Sequence, residues 1–169
     1  MIELNDDQQP HWLPDMPPQF EFAFHMRVVT GPISRLQQIN GGGSDMLMMT
    51  IDGGDVRGPR VSGKLMPGGT EWPLVYPDGV SRIDARYSFV CDDGTVIGVR
   101  NSGFRRGPPE VMVRLLSRRE VVDARDYYFR TWSMFDAPAG PHQWLGQTVF
   151  VGIGERHPDL LHLRYYAML

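Results

Sequence analysis

The sequence predicts an all-β protein: a single antiparallel β-barrel of about eight to nine strands with one short helix. Three observations predict it. The 19 Gly and 14 Pro break the chain at short intervals, the pattern of many short strands joined by turns. Alternation of apolar and polar residues with period two recurs along most of the chain. Only one segment has helical spacing and no βαβ rhythm is present, so the sheet must curl on itself to remove its exposed edges. With 169 residues, one domain is expected, residues 20–169, behind a Pro-rich arm at residues 1–19.

In the arm, Pro10, Pro14, Pro17 and Pro18 surround Trp12, which predicts an extended segment outside any sheet. From Phe20 the residues Phe22, Phe24, Met26 and Val28 alternate with Glu21, Ala23, His25 and Arg27, giving the clearest strand. Gly41, Gly42 and Gly43 then form a loop before an apolar strand over residues 46–51, which Gly53 and Gly54 are expected to end. Further strands are predicted over residues 60–66 and 72–76. Asp93-Gly94 joins strands 81–91 and 95–101 as an antiparallel hairpin, because Gly accepts the positive φ of such a turn. Residues 108–119 read as the helix. Pro108 suits the first turn, Glu110 and Arg118-Arg119 suit the two ends of the dipole, and Val111, Met112, Leu115 and Leu116 form the buried stripe. Strands 127–135, 147–152 and 160–168 complete the set.

A net charge of −3 lacks the basic surplus that phosphate neutralisation needs, so no nucleic-acid partner is expected. No window approaches the ~20 apolar residues of a membrane helix, and the acidic start with Glu3, Asp6 and Asp7 does not read as a signal peptide. The expected location is cytoplasmic. A single cysteine, Cys91, allows no internal disulfide; Asp92 and Asp93 beside it raise its thiol pKa and argue against a nucleophile. No Walker A sequence, GxGxxG or HExxH is present, and the five histidines show no paired spacing. Neither a cofactor nor a metal is expected.

Three strands offer candidate chemistry. Over residues 81–91, Arg82, Asp84 and Arg86 form one face and Ile83, Ala85, Tyr87 and Phe89 the other. If the polar face looks outward, Asp84 and Arg86 are a solvated pair. If it looks inward, Asp84 is a general acid or base with Arg86 as an anion stabiliser. The same choice applies to Tyr128, Arg130 and Trp132, which share a face opposite Tyr127, Phe129 and Thr131. Arg60, Ser62 and Lys64 share a third face, where Lys64 suits a developing enolate.

The stretches Ile51-Asp52-Gly53-Gly54, Gly58-Pro59-Arg60-Val61-Ser62-Gly63, Pro67-Gly68-Gly69-Thr70-Glu71-Trp72, Ile83-Asp84-Ala85-Arg86-Tyr87, Asp93-Gly94 and Tyr128-Phe129-Arg130-Thr131 resemble, in order and spacing, the bacterial and fungal family called domain of unknown function 3237. The resemblance runs from Phe20 to Leu169. It implies an antiparallel barrel similar in shape to the calycin and allene-oxide-cyclase barrels, and no particular activity. Met46-Leu47 stands where the family often has two arginines, and His142-Gln143-Trp144-Leu145-Gly146 replaces a usual Tyr-x-Trp-Leu-Asn. These departures suggest a pocket for a bulkier, less charged ligand.

The expected function is a cofactor-independent isomerase or cyclase acting on a hydrophobic, aromatic or polyketide-like metabolite held in the barrel. Asp84, Arg86 and Arg130 are the expected catalytic set; Arg60, Lys64, Trp72, Tyr128 and Trp132 the expected substrate contacts. A non-catalytic carrier of such a ligand, or an accessory protein whose arm clasps a second copy as a homo-oligomer, are the alternatives.

Overall fold

A computed structural model describes residues 17–39 and 43–169. The predicted arm, with Trp12, lies outside the described residues up to position 16, as do Gly41 and Gly42 of the predicted loop. The elements in order are β1 (Phe20–Ile39), β2 (Ser44–Arg57), β3 (Ser62–Leu65), β4 (Gly69–Glu71), β5 (Leu74–Val75), β6 (Ser81–Cys91), β7 (Val96–Arg106), α1 (Pro109–Ser117), β8 (Tyr128–Asp136), a 3-10 helix (Gln143–Gln147), β9 (Phe150–Arg156) and β10 (Leu160–Met168). The strands run β1-β10-β9-β8-β7-β6, and the short β3, β4 and β5 together fill one place between β6 and β2. β2 then pairs back onto β1, which closes an eight-position antiparallel barrel. Among the described residues no helix is long and apolar enough to cross a membrane.

Glycine accounts for two differences from the sequence reading. Gly53-Gly54 does not end β2; the strand continues to Arg57. Both glycines have strongly positive φ, +144° and +140°, and Val29 pairs with Gly53 while Thr30 pairs with Ile51, leaving Asp52 as the extra residue of a bulge. A bulge bends its strand, and here the bend helps wrap β2 around the barrel. Likewise β9 does not stop at Gly152 but runs to Arg156. A Cβ at Gly154 would stand 2.4 Å from the Phe129 ring, and one at Gly152 would stand 3.1 Å from Tyr165. These positions lack side chains because the space is occupied by the Phe129 ring at Gly154 and, at Gly152, by Thr131 Oγ1 at 2.3 Å with the Tyr165 ring behind it. Of the strand predicted over 72–76 only β5, Leu74–Val75, forms; Trp72-Pro73 separates it from β4, which ends at Glu71, since proline donates no ladder bond.

The two ends of the barrel differ. At the β6–β7 hairpin end, Phe24, Phe135, Phe150 and Tyr165 pack with ring centroids 5.0–5.9 Å apart, and Leu145 and Trp144 of the 3-10 helix close over them. The other end is covered by α1, which buries Val111, Met112 and Leu115 as its stripe predicts. Arg118, left-handed at φ 56°, ends this cover. Its guanidinium donates to the Gly31 carbonyl (2.6 Å), to Thr30 Oγ1 (3.1 Å) and to the Pro158 carbonyl. The helix segment leaves from β7 and is tied to β1 and the β9–β10 turn, so it spans the mouth.

Candidate active site inside the barrel

Strand parity decides which side chains meet the interior. In β6 the buried residues are Ser81, Ile83, Ala85, Tyr87, Phe89 and Cys91, because the aliphatic and aromatic face gains most by leaving water. Asp84 and Arg86 therefore project outward and are exposed. Arg60, Lys64, Trp72, Tyr128, Arg130 and Trp132 are exposed too. The inward option left open for these residues does not occur. Tyr128, Arg130 and Trp132 do come together, beside Phe104 on the outer face of β7–β9, where they line a shallow concavity of about 380 Å³. Tyr128 lies between the guanidiniums of Arg106 and Arg130, 4.8 and 5.2 Å from its ring. Arg60 stacks on Trp144 at 4.1 Å, and Trp72 Nε1 donates to Thr70 Oγ1 at 3.0 Å.

The interior holds a different set of ionisable groups. Glu71 ends β4, Arg105 lies at the end of β7, and Arg156 ends β9; they are 2%, 1% and 1% exposed. Ser81 and Arg105 face each other across the β6–β7 ladder, at the end covered by α1. Arg156 is locked by its main chain, whose N–H donates to Tyr127 Oη at 2.8 Å, while its side chain meets Met49 Sδ at 3.3 Å. Arg105 lies 5.5 Å from the Phe129 ring centroid. Neither guanidinium is satisfied: Nε and Nη1 of both arginines, and Oε1 of Glu71, are buried without a hydrogen-bond partner.

Two guanidiniums against one carboxylate leave this region with a positive surplus. Burial and then the charge of Arg105 bring the Arg156 pKa down to about 9, with Glu71 opposing. Burial lowers Arg105 as well, again against Glu71. Toward the middle of the barrel, Tyr87 Oη and Tyr165 Oη lie 3.3 Å apart, and Ser133 Oγ donates to Asn101 Oδ1 at 2.6 Å. Burial holds both tyrosine hydroxyls above their ordinary range, so they remain protonated. Buried donors without partners cost stability, and a native chain that keeps several together invites a functional explanation. The set offers a carboxylate proton acceptor, cationic donors for an oxyanion and neutral hydroxyl donors, enclosed where electrostatic interactions are strong.

None of these three residues is among the expected catalytic or substrate-contact residues, yet the sequence carries a signal for the two arginines. Arg105 continues the inward series Ile97, Val99, Asn101, Gly103, and Arg156 continues Phe150, Gly152, Gly154. A charged residue on the apolar parity of a strand points inward. His25 Nε2 and His162 Nδ1 meet across β1 and β10 at 3.0 Å, with rings stacked. Cys91 is buried, and burial first, then Asp93 and Asp92, push its thiol up to about 11.

Comparison with known proteins agrees with this architecture. The model of a family described as "Protein of unknown function (DUF3237)" matches residues 18–168. The UPF0311 protein RPA1785 of Rhodopseudomonas palustris is 38% identical over 122 residues, 72% of this chain and 79% of that protein. Its crystal structure superposes with a TM-score of 0.83, covering 91% of this chain and 99% of that one at 32% identity. A protein of unknown function from Clostridium acetobutylicum gives 0.81 at 29% identity, with coverage of 91% and 99%. An enzyme from Penicillium herquei shares the fold at a TM-score of 0.69 and 22% identity, covering 93% of this chain and 98% of that one. With the closed barrel and a family match over nearly its whole described length, this chain belongs to the DUF3237 family of β-barrel proteins.

Proposed function

We propose that this protein is a cofactor-free isomerase or cyclase that converts a hydrophobic, aromatic or polyketide-like metabolite inside the barrel. The observation that carries the reading is the group of buried, unpartnered polar atoms on Glu71, Arg105 and Arg156. In this reading the chemistry moves from the outward Asp84, Arg86 and Arg130 to these inward groups. Glu71 accepts a proton from a carbon next to a carbonyl, and the oxygen that becomes negative takes N–H donors from Arg105 and Arg156. The proton then returns at the carbon where the product needs it, so the step is redox-neutral. Phe129 and the Tyr87–Tyr165 pair form walls that hold one ligand conformer, which converts lost ligand freedom into rate. The barrel is also a fold that the enzyme from Penicillium herquei uses.

The test is Glu71→Gln, which keeps the shape and removes the proton acceptor. With a metabolite that the wild-type protein converts, the variant is expected to lose about 10²–10⁴-fold in kcat while ligand affinity stays within a few-fold, read by product formation and calorimetry. Unchanged turnover in the variant removes Glu71 from the mechanism. A wild-type protein that binds the metabolite and returns it unaltered is a carrier.

A further inference from the structure

At the opposite end of the barrel from Arg105 and Arg156, three side chains that sequence spacing does not connect stand together. Cys91 ends β6, Asp93 lies in the β6–β7 turn, and His142 precedes the 3-10 helix between β8 and β9. One donor atom from each, a sulfur, a carboxylate oxygen and an imidazole nitrogen, lies within 4.8 Å of the other two. We propose that Cys91, Asp93 and His142 form a binding site for one divalent transition-metal ion of the zinc type.

The triangle itself favours an ion over a nucleophilic relay. In a relay, histidine stands between the thiol and the carboxylate, which then bind opposite edges of its ring. Here one donor atom of each residue lies within 4.8 Å of both others, so all three fit around a single ion. A tetrahedral ion with bonds of about 2.0–2.3 Å holds its ligands roughly 3.3–3.8 Å apart. His142 Nε2 and Asp93 Oδ2 are already 3.0 Å apart, so one short side of the triangle exists and small side-chain rotations complete the others. Nδ1 of the same ring is buried without a hydrogen-bond partner, so the protein leaves this imidazole only half used. Cys91 and His142 are 4% and 9% exposed, while Asp93 is exposed and opens onto a cleft of about 340 Å³ that Arg60 and Ser62 also line. The cleft gives an ion a way in and leaves its fourth position to water.

The donor set chooses among ions. Calcium and magnesium require oxygen ligands in greater number, whereas one thiolate, one imidazole and one carboxylate suit zinc or cobalt. On binding, the Cys91 proton passes to solvent and a sulfur–metal bond forms. The ion would tie the β6–β7 turn to the loop between β8 and β9, which sit on the closed end of the barrel. This site does not depend on the reaction proposed for the interior.

The experiment is an anaerobic titration of the full chain with cobalt(II), followed by displacement with zinc(II). A single cobalt ion per chain is expected, with a thiolate-to-cobalt charge-transfer band in the near ultraviolet and the strong visible bands of a four-coordinate ion. Because Cys91 is the chain's one cysteine, that band reports this site alone. Cys91→Ser is expected to abolish the band, and Cys91→Ser and His142→Gln each to weaken zinc binding at least about tenfold, with far-ultraviolet circular dichroism verifying the barrel in both. The proposal is overturned by absence of uptake, by undiminished affinity in Cys91→Ser, or by cobalt bound without the thiolate band, which would place the ion elsewhere, for instance on the His25–His162 pair.

Discussion

Arg156→Met is expected to melt at a higher temperature than the wild-type protein. The guanidinium is 1% exposed, two of its nitrogens have no partner, and Arg105 adds a second positive charge nearby. Replacing such a group by an apolar side chain of similar length removes its desolvation cost and keeps the packing against Met49, a gain of about 1–3 kcal/mol. In a chain of this size that is roughly 2–4 °C per kcal/mol. The pH dependence has a defined sign. Arg156 has its folded pKa lowered to about 9, well below its value in the unfolded chain, so above pH 9 and up to that unfolded value the unfolded chain binds more protons and wild-type stability rises with pH. The cost is fully present below about pH 9, and the advantage of the variant should narrow as pH rises through that value. Thermal melts of both proteins from pH 7 to 10 check this. A lower melting temperature for Arg156→Met at pH 7 would mean that the guanidinium is satisfied in the native protein.

Gly54→Ala should have the larger effect and the opposite direction. A Cβ there would stand 1.9 Å from the Arg27 carbonyl oxygen, 3.0 Å from its carbon and 3.2 Å from Val28 Cα, all main-chain atoms, at a φ of +140° that alanine rarely adopts. Nothing near the clash is a flexible side-chain end, and β1 is held on its other side by β10, so relief requires the β1–β2 seam to part. A loss of at least about 3 kcal/mol follows from the combined strain and broken pairing. Urea unfolding measures it, and Gly79→Ala is the control: a Cβ there meets nothing within 4 Å, so only its positive φ of +83° counts against it. Equal losses for the two variants would contradict the role given to the bulge.

The barrel was legible because alternation is a local signal. Phe22, Phe24, Met26 and Val28, or Ile83, Ala85, Tyr87 and Phe89, declare half-buried strands without help from the rest of the chain. α1 was legible for the same reason: its stripe, its proline start and its basic end lie within a few residues. The site was not, because its members come from β4, β7 and β9, and their meeting depends on closure of the sheet. Stopping the strands at Asn101 and Gly152 also hid Arg105 and Arg156. In a sequence, Gly103, Gly152 and Gly154 look like punctuation; in the barrel they are inner-face positions that backbone and rings crowd. Asp84, Arg130 and Trp132 drew attention as charged and aromatic residues with regular spacing, but regular spacing gives the face they share and not its direction. Cys91, Asp93 and His142 were illegible as a group because the third arrives from a loop 49 residues after the second.

The most direct test of the interior site is a thermal-shift series with aromatic carboxylates and phenols, comparing the wild-type protein, Arg105→Met/Arg156→Met and Asp84→Asn. Stabilisation of the wild-type protein and of Asp84→Asn, with loss of that stabilisation in the double variant, is the predicted result. Ligands that stabilise the double variant as much as the wild-type protein, or that lose their effect in Asp84→Asn, would contradict it and return the binding site to the outer face.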